Sequence, residues 1–128
     1  MFDMLRTPNI EGAGLSPTQR LLLDYRDANL FAGILSHETA RCYLWAVRPF
    51  LRWLDENALM VEQVDYRVIE RYRVHLTITP MSTPRGGRKR SPSTIHHVLR
   101  AIKHFAKWLI IVGKLKKNPF DRVSLHRE

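Results

Sequence analysis

Apolar and polar positions alternate with a helical period in four stretches of the chain, with no strand-like alternation of useful length and no internal repeat. The first stretch opens at Ser16, where Ser16-Pro17-Thr18-Gln19 supplies a capping serine, a proline at the first helical position and a glutamine three residues after the cap. Leu22, Tyr25 and Leu30 then share a face, and Gly33 is the expected stop. The second stretch runs from Ser36 to about Asn57, with Ala40, Tyr43, Val47, Phe50, Leu51 and Leu54 as its apolar stripe. Pro49 lies inside this period; it lacks an N–H and its ring crowds the Trp45 carbonyl, which predicts a bend. The third helix is capped by Asp65, with Val64 and Ile69 spaced for a hydrophobic staple and Val68, Ile69, Tyr72 and Leu76 facing inward. The fourth begins after Ser91 with Pro92 at its first position and ends near Gly113, packing Ile95, Val98, Leu99, Ile102, Phe105 and Leu109 inward. Lys114, Lys116 and Lys117 follow, and Asn118-Pro119 closes the element.

These elements predict an all-α fold, a compact four-helix bundle over residues 16–120. Residues 1–15 carry Pro8, Gly12 and Gly14 without any period and read as a flexible arm, and residues 121–128 read as the start of a linker. Residues 77–92 form a long loop with three prolines and two glycines. Loops of that length inside a domain usually carry function, and this one holds Arg85, Arg88, Lys89 and Arg90.

Composition narrows the class. The chain has 128 residues, 45% hydrophobic and 26% charged, enough to bury one core. A single cysteine, Cys42, excludes an internal disulfide framework and a Cys-rich zinc site. The longest tight apolar run, 108–112, is too short to span a bilayer. Asp3 and Arg6 stand where an export signal needs apolar residues, so a cytoplasmic, nucleoid-associated protein without a membrane partner is expected.

The charge changes the picture most. Residues 1–70 hold seven Lys and Arg against ten Asp and Glu, whereas residues 71–128 hold 14 against two. No acidic residue lies between Arg71 and Phe120. Such a half attracts a polyanion, either nucleic acid or an anionic membrane surface, unless its cations merely solvate a surface. On the fourth helix His96, Arg100, Lys103 and Lys107 recur at spacings of four, three and four, with His97 and His104 beside them. A helix with one apolar and one cationic face has the shape to lie in a major groove, and Ser91, Ser93 and Thr94 at its start can donate to phosphate oxygens. The basic loop lands at the same helix start, where backbone N–H groups favour anions. The second helix offers Thr39, Arg41, Arg48 and Arg52, with Glu38, Asp55 and Glu56 close by. Trp45 lies on that stripe and is expected to pack beneath an interface or against another helix, without a base-stacking role.

The six histidines do not make a metal site: His97 and His104 are about two turns apart, His96 and His97 point in different directions, and no carboxylate or cysteine joins them. Gly86-Gly87 is not a phosphate-binding glycine fingerprint, and no catalytic constellation or cofactor site stands out.

Taken in order, Ser36-His37-Glu38-Thr39-Ala40-Arg41-Cys42-Tyr43, Phe50-Leu51-Arg52-Trp53-Leu54, the basic loop, Ser93-Thr94-Ile95, Ala101-Ile102-Lys103-His104-Phe105, Trp108-Leu109, Gly113 and Asn118-Pro119-Phe120 form a recognisable set. It resembles the N-terminal core-binding domain of tyrosine recombinases, the phage integrase family, over roughly residues 16–120. The resemblance implies a SAM-like bundle that forms one jaw of a clamp around a recombination half-site. Its second and fourth helices would face double-stranded DNA through Thr39, Arg41, Arg48 and the run from Ser93 to Lys107. It also implies other recombinase protomers as partners on paired half-sites. The family's catalytic domain carries Arg, Lys, a His-x-x-Arg motif and a tyrosine nucleophile. His97-Val98-Leu99-Arg100 spells the motif, but Tyr72 is the last tyrosine, so no nucleophile follows it. The expectation is a non-catalytic piece of a longer recombinase. A stand-alone helical DNA-binding regulator and a basic protein-interaction module are the competing readings.

Overall fold

The computed structural model describes residues 16–31, 35–79 and 90–122. Among them lie four α-helices and no strand: α1 Pro17–Arg26, α2 His37–Glu56, α3 Tyr66–Ile78 and α4 Pro92–Ile111. The all-α class is therefore as expected. Short turns accompany them, a π-helical one at Asp27–Phe31 and 3-10 ones at Val61–Gln63 and Pro119–Arg122. The chain divides into two compact units, Met1–Val61 and Glu62–Glu128.

In the first unit α1 packs on α2. Ser16 starts α1 with a reciprocal capping box: its Oγ accepts the Gln19 N–H at 3.1 Å, and Gln19 Oε1 accepts the Ser16 N–H at 2.9 Å. Tyr25 is buried as expected, but Leu21 joins it on the inward face and Leu22 is only half-buried. In the run Leu21-Leu22-Leu23 apolarity alone does not set the rotation; packing against α2 does. The α-helix also ends sooner than expected. The buried Asn29 donates from Nδ2 to the Tyr25 carbonyl at 2.7 Å and supports the π-turn, beside an Arg26 guanidinium that is buried and paired with Asp27 at 2.6 Å. Gly33 and the Leu30 side chain lie outside the described residues.

Ser36 caps α2, which runs as one α element through an exposed Pro49. Leu44, Ala46 and Trp53 join the expected apolar stripe, whereas Tyr43 is half-buried. The exit is a Schellman turn: the Leu59 N–H reaches the Leu54 carbonyl at 2.9 Å and the Ala58 N–H reaches Asp55 at 3.1 Å, with Ala58 at φ 55.

In the second unit Asp65 caps α3, its Oδ1 accepting the Val68 N–H at 3.1 Å. Val68, Ile69, Tyr72 and Leu76 are all buried, as is Val64 before the cap. Thr77 and Ile78 belong to the helix and not to the expected loop, since no breaker precedes Pro80. Thr79, at φ −97 and ψ 119, takes the extended form that a following proline imposes. The rest of the loop, residues 80–89, lies outside the described residues, as do the arm 1–15 and residues 123–128. Ser91 caps α4, and Leu99, Ala101, Ile102, Phe105, Ala106 and Leu109 form its buried face. Ile95 and Val98 are half-buried near the helix start. Gly113, at φ 84, ends α4 with the same Schellman pattern, Lys114 N–H to the Leu109 carbonyl at 2.8 Å and Gly113 N–H to Ile110 at 3.1 Å. A 3-10 turn, Pro119–Arg122, follows Asn118. Asn118 Oδ1 accepts the Phe120 N–H at 2.9 Å, and Phe120 is buried where the Pro119–Arg122 turn meets α3 and α4.

Candidate nucleic-acid interface

Period and capping put the cations of α4 on the side opposite its apolar face. His97, Arg100 and Lys107 are exposed; His96, Lys103 and His104 are half-buried. His97, Arg100, Lys103 and Lys107 make no ion pair among the described residues, in a stretch without carboxylates. The His96 and His97 rings meet edge to face at 6.2 Å. Burial, and then the Lys107 ammonium nearby, hold the His104 imidazole below its ordinary pKa, so it is neutral at pH 7. Lys114, Lys116 and Lys117 are exposed beyond the helix end and continue the cationic character.

At the start of α4 the hydroxyls are already engaged with each other. Ser91 Oγ accepts the Thr94 N–H at 3.1 Å and lies 3.0 Å from Thr94 Oγ1. Ser93 is exposed. Arg90 reaches back to α3: its Nη1 donates to the carbonyls of Leu76 at 3.2 Å and Thr79 at 2.5 Å. A half-buried guanidinium thus ties the last carbonyls of α3 to the start of α4 and closes the base of the intervening loop. Nearby Tyr72 is pushed up to about 12 by burial, against a smaller lowering by Arg90. Arg85, Arg88 and Lys89 lie outside the described residues.

On α2, Thr39 holds the Ser36 cap through its N–H at 3.2 Å and its hydroxyl at 2.9 Å. Arg41 is paired with Glu38 at 2.7 Å, whereas Arg48 and Arg52 are exposed and make no ion pair among the described residues. Trp45 is not packed against another helix: it stands 64% exposed on this stripe. Its neighbours in sequence along the helix face are arginines, the one signal that it belonged to the cationic side.

Among the described residues no group of three or more His, Cys, Asp or Glu is placed to hold a metal ion. No helix among them is long and apolar enough to cross a membrane. No curated protein and no solved structure matches the chain. A family model does: that of the phage integrase SAM-like domain, over residues 22–125.

Proposed function

Because the chain belongs to the phage integrase SAM-like domain family, we propose that it is the DNA-gripping module of a tyrosine recombinase. It holds a recombination half-site and contributes no chemistry of its own. The observation that carries this reading is the face of α4 on which Arg100, Lys103 and Lys107 lie without a carboxylate to neutralise them. From His96 to Lys107 that stripe extends about 16 Å, roughly five base-pair steps. A duplex laid along it exchanges condensed counterions for these cations, which is favourable and independent of sequence. Ser93 and Thr94 add positioning contacts to phosphates at the start of α4, Arg85, Arg88 and Lys89 add cationic charge from the loop sequence before it, and Thr39, Arg48 and Arg52 on α2 are a separate set of phosphate contacts in the first unit. Arg90 sets the base of that loop. Other protomers of the parent recombinase are the partners expected on paired half-sites.

The test is a salt-titrated binding curve with random duplex DNA. About six phosphate contacts lower the affinity about 10³-fold between 50 and 200 mM salt. Replacing both Arg100 and Lys103 by alanine weakens binding by about 1–3 kcal/mol if one reads a base edge, and by less if both hold phosphates. The double variant stays folded, since both positions lie off the buried face. A folded double variant with unchanged affinity would refute the assignment of this face.

A further inference from the structure

Trp45 has no role in the reading above. Its indole stands 64% exposed, in the midst of the α2 stripe between Arg41 and Arg48, while Trp53 on the same helix is buried at 8% and stacked on Phe50 at 6.3 Å. A tryptophan carries about 150–250 Å² of largely apolar surface. Leaving most of that in water within a cationic stripe stabilises nothing in the fold. Pro49, one turn further on, is exposed as well and has no N–H to offer the Trp45 carbonyl. Around the indole, Arg48 and Arg52 are exposed and make no ion pair among the described residues.

The occupant of such a patch must satisfy guanidinium groups and an aromatic face together. Phosphates serve the arginines but not the indole. An apolar protein surface serves the indole but leaves the arginines desolvated and unpaired. The major groove of DNA offers both. It is flanked by phosphates, and among base edges made of hydrogen-bond donors and acceptors it presents one apolar group, the C5-methyl of thymine.

We propose that Trp45 is a specificity-determining residue, seated against thymine C5-methyl groups in the major groove while Arg48 and Arg52 hold the flanking phosphates. This rests on the DNA-binding reading above. The indole selects thymine at the steps it covers, and a recombination site for this protein carries thymines there.

Three duplexes of equal length test it in low salt: an A·T-rich one, the same duplex with uracil in place of thymine, and one of G·C pairs alone. The thymine duplex binds more tightly than its uracil counterpart, by about four-fold for each methyl buried, the transfer free energy of one methylene. Trp45→Ala removes that gap and leaves the G·C affinity unchanged. The thymine duplex also shields from acrylamide the part of the tryptophan emission that Trp45→Phe removes. Equal affinity for thymine and uracil, a gap that survives Trp45→Ala, or an indole still open to acrylamide on DNA overturns the Trp45 assignment and leaves DNA binding standing. Binding to none of the three duplexes removes the DNA-binding reading itself.

Discussion

Helices α2 and α4 are built to one plan. Both have 20 residues, both start at a serine whose Oγ accepts the N–H of a threonine three positions on, and both end in a Schellman turn. Both carry a buried apolar face and a cationic stripe. They differ in what surrounds the cations. On α2 Glu38 pairs with Arg41 in the first turn, Asp55 and Glu56 close the helix, and Asp55 accepts a hydrogen bond from the Thr18 hydroxyl at 2.7 Å. On α4 no carboxylate lies anywhere along the helix. The same amphipathic design therefore yields one helix whose charge is partly neutralised within itself and one whose charge is open to a polyanion. Cations count as a binding surface when their local counter-charges are absent, and not by their number.

The strongest way to break the comparison is to remove the support beneath one stripe. Phe105 is fully buried in α4 and stacks on Trp108 at 5.9 Å. Phe105→Ala is expected to destabilise the protein by about 3–5 kcal/mol, read by chemical denaturation. DNA affinity is then lost through unfolding, with no cation removed.

The helix exits give a sharper, symmetrical test. Gly113 carries the left-handed residue of the α4 turn, and Ala58 carries it in α2 at φ 55. A methyl at 113 meets nothing within 4 Å, so Gly113→Ala registers backbone strain alone, about 1–2 kcal/mol. Ala58→Gly relieves the corresponding strain and is expected to stabilise by about 1 kcal/mol. Opposite shifts in Tm from the two variants confirm that the turns are equivalent; shifts of the same sign break the equivalence.

A smaller effect isolates the counter-charge. Glu38→Gln removes the carboxylate paired with Arg41 and is expected to tighten DNA binding at low salt by a few-fold, while the helix start loses about 0.3–1 kcal/mol of dipole stabilisation. No gain in affinity would mean that α2 does not approach DNA near its start.

The smallest expected effect is in pH. Folding lowers the pKa of His104 through burial and then Lys107. Between the folded value and the ordinary 6.5 the unfolded chain binds more protons, so stability falls as the pH drops through that window. Thermal melts at pH 7.5 and 5.5 should show a decline that His104→Asn reduces. DNA phosphates oppose the shift, so binding through this face strengthens as the pH falls.

Much of this was legible in the sequence because it is local. The caps Ser16, Ser36, Asp65 and Ser91 act on N–H groups three residues away, and the breaker Gly113 acts on its own backbone. The cationic stripe of α4 follows from spacing and from the missing carboxylates alone. Rotation and burial were another matter. Leu21 rather than Leu22 faces inward, Trp53 is buried while Trp45 is exposed, and Phe120 returns to the core from beyond a proline. Arg90, read as a loop cation, spends part of its guanidinium on the α3 carbonyls 11 and 14 residues away. Those outcomes depend on which neighbours pack against each helix. Helical periodicity leaves that choice open wherever apolar residues are adjacent or a long side chain can reach more than one partner. The sequence by itself determined where helices begin and where charge accumulates, because capping at helix starts and charge composition are short-range properties. Only the tertiary structure decided which large side chains were left over for a partner, because burial is settled by contacts between residues far apart in the chain.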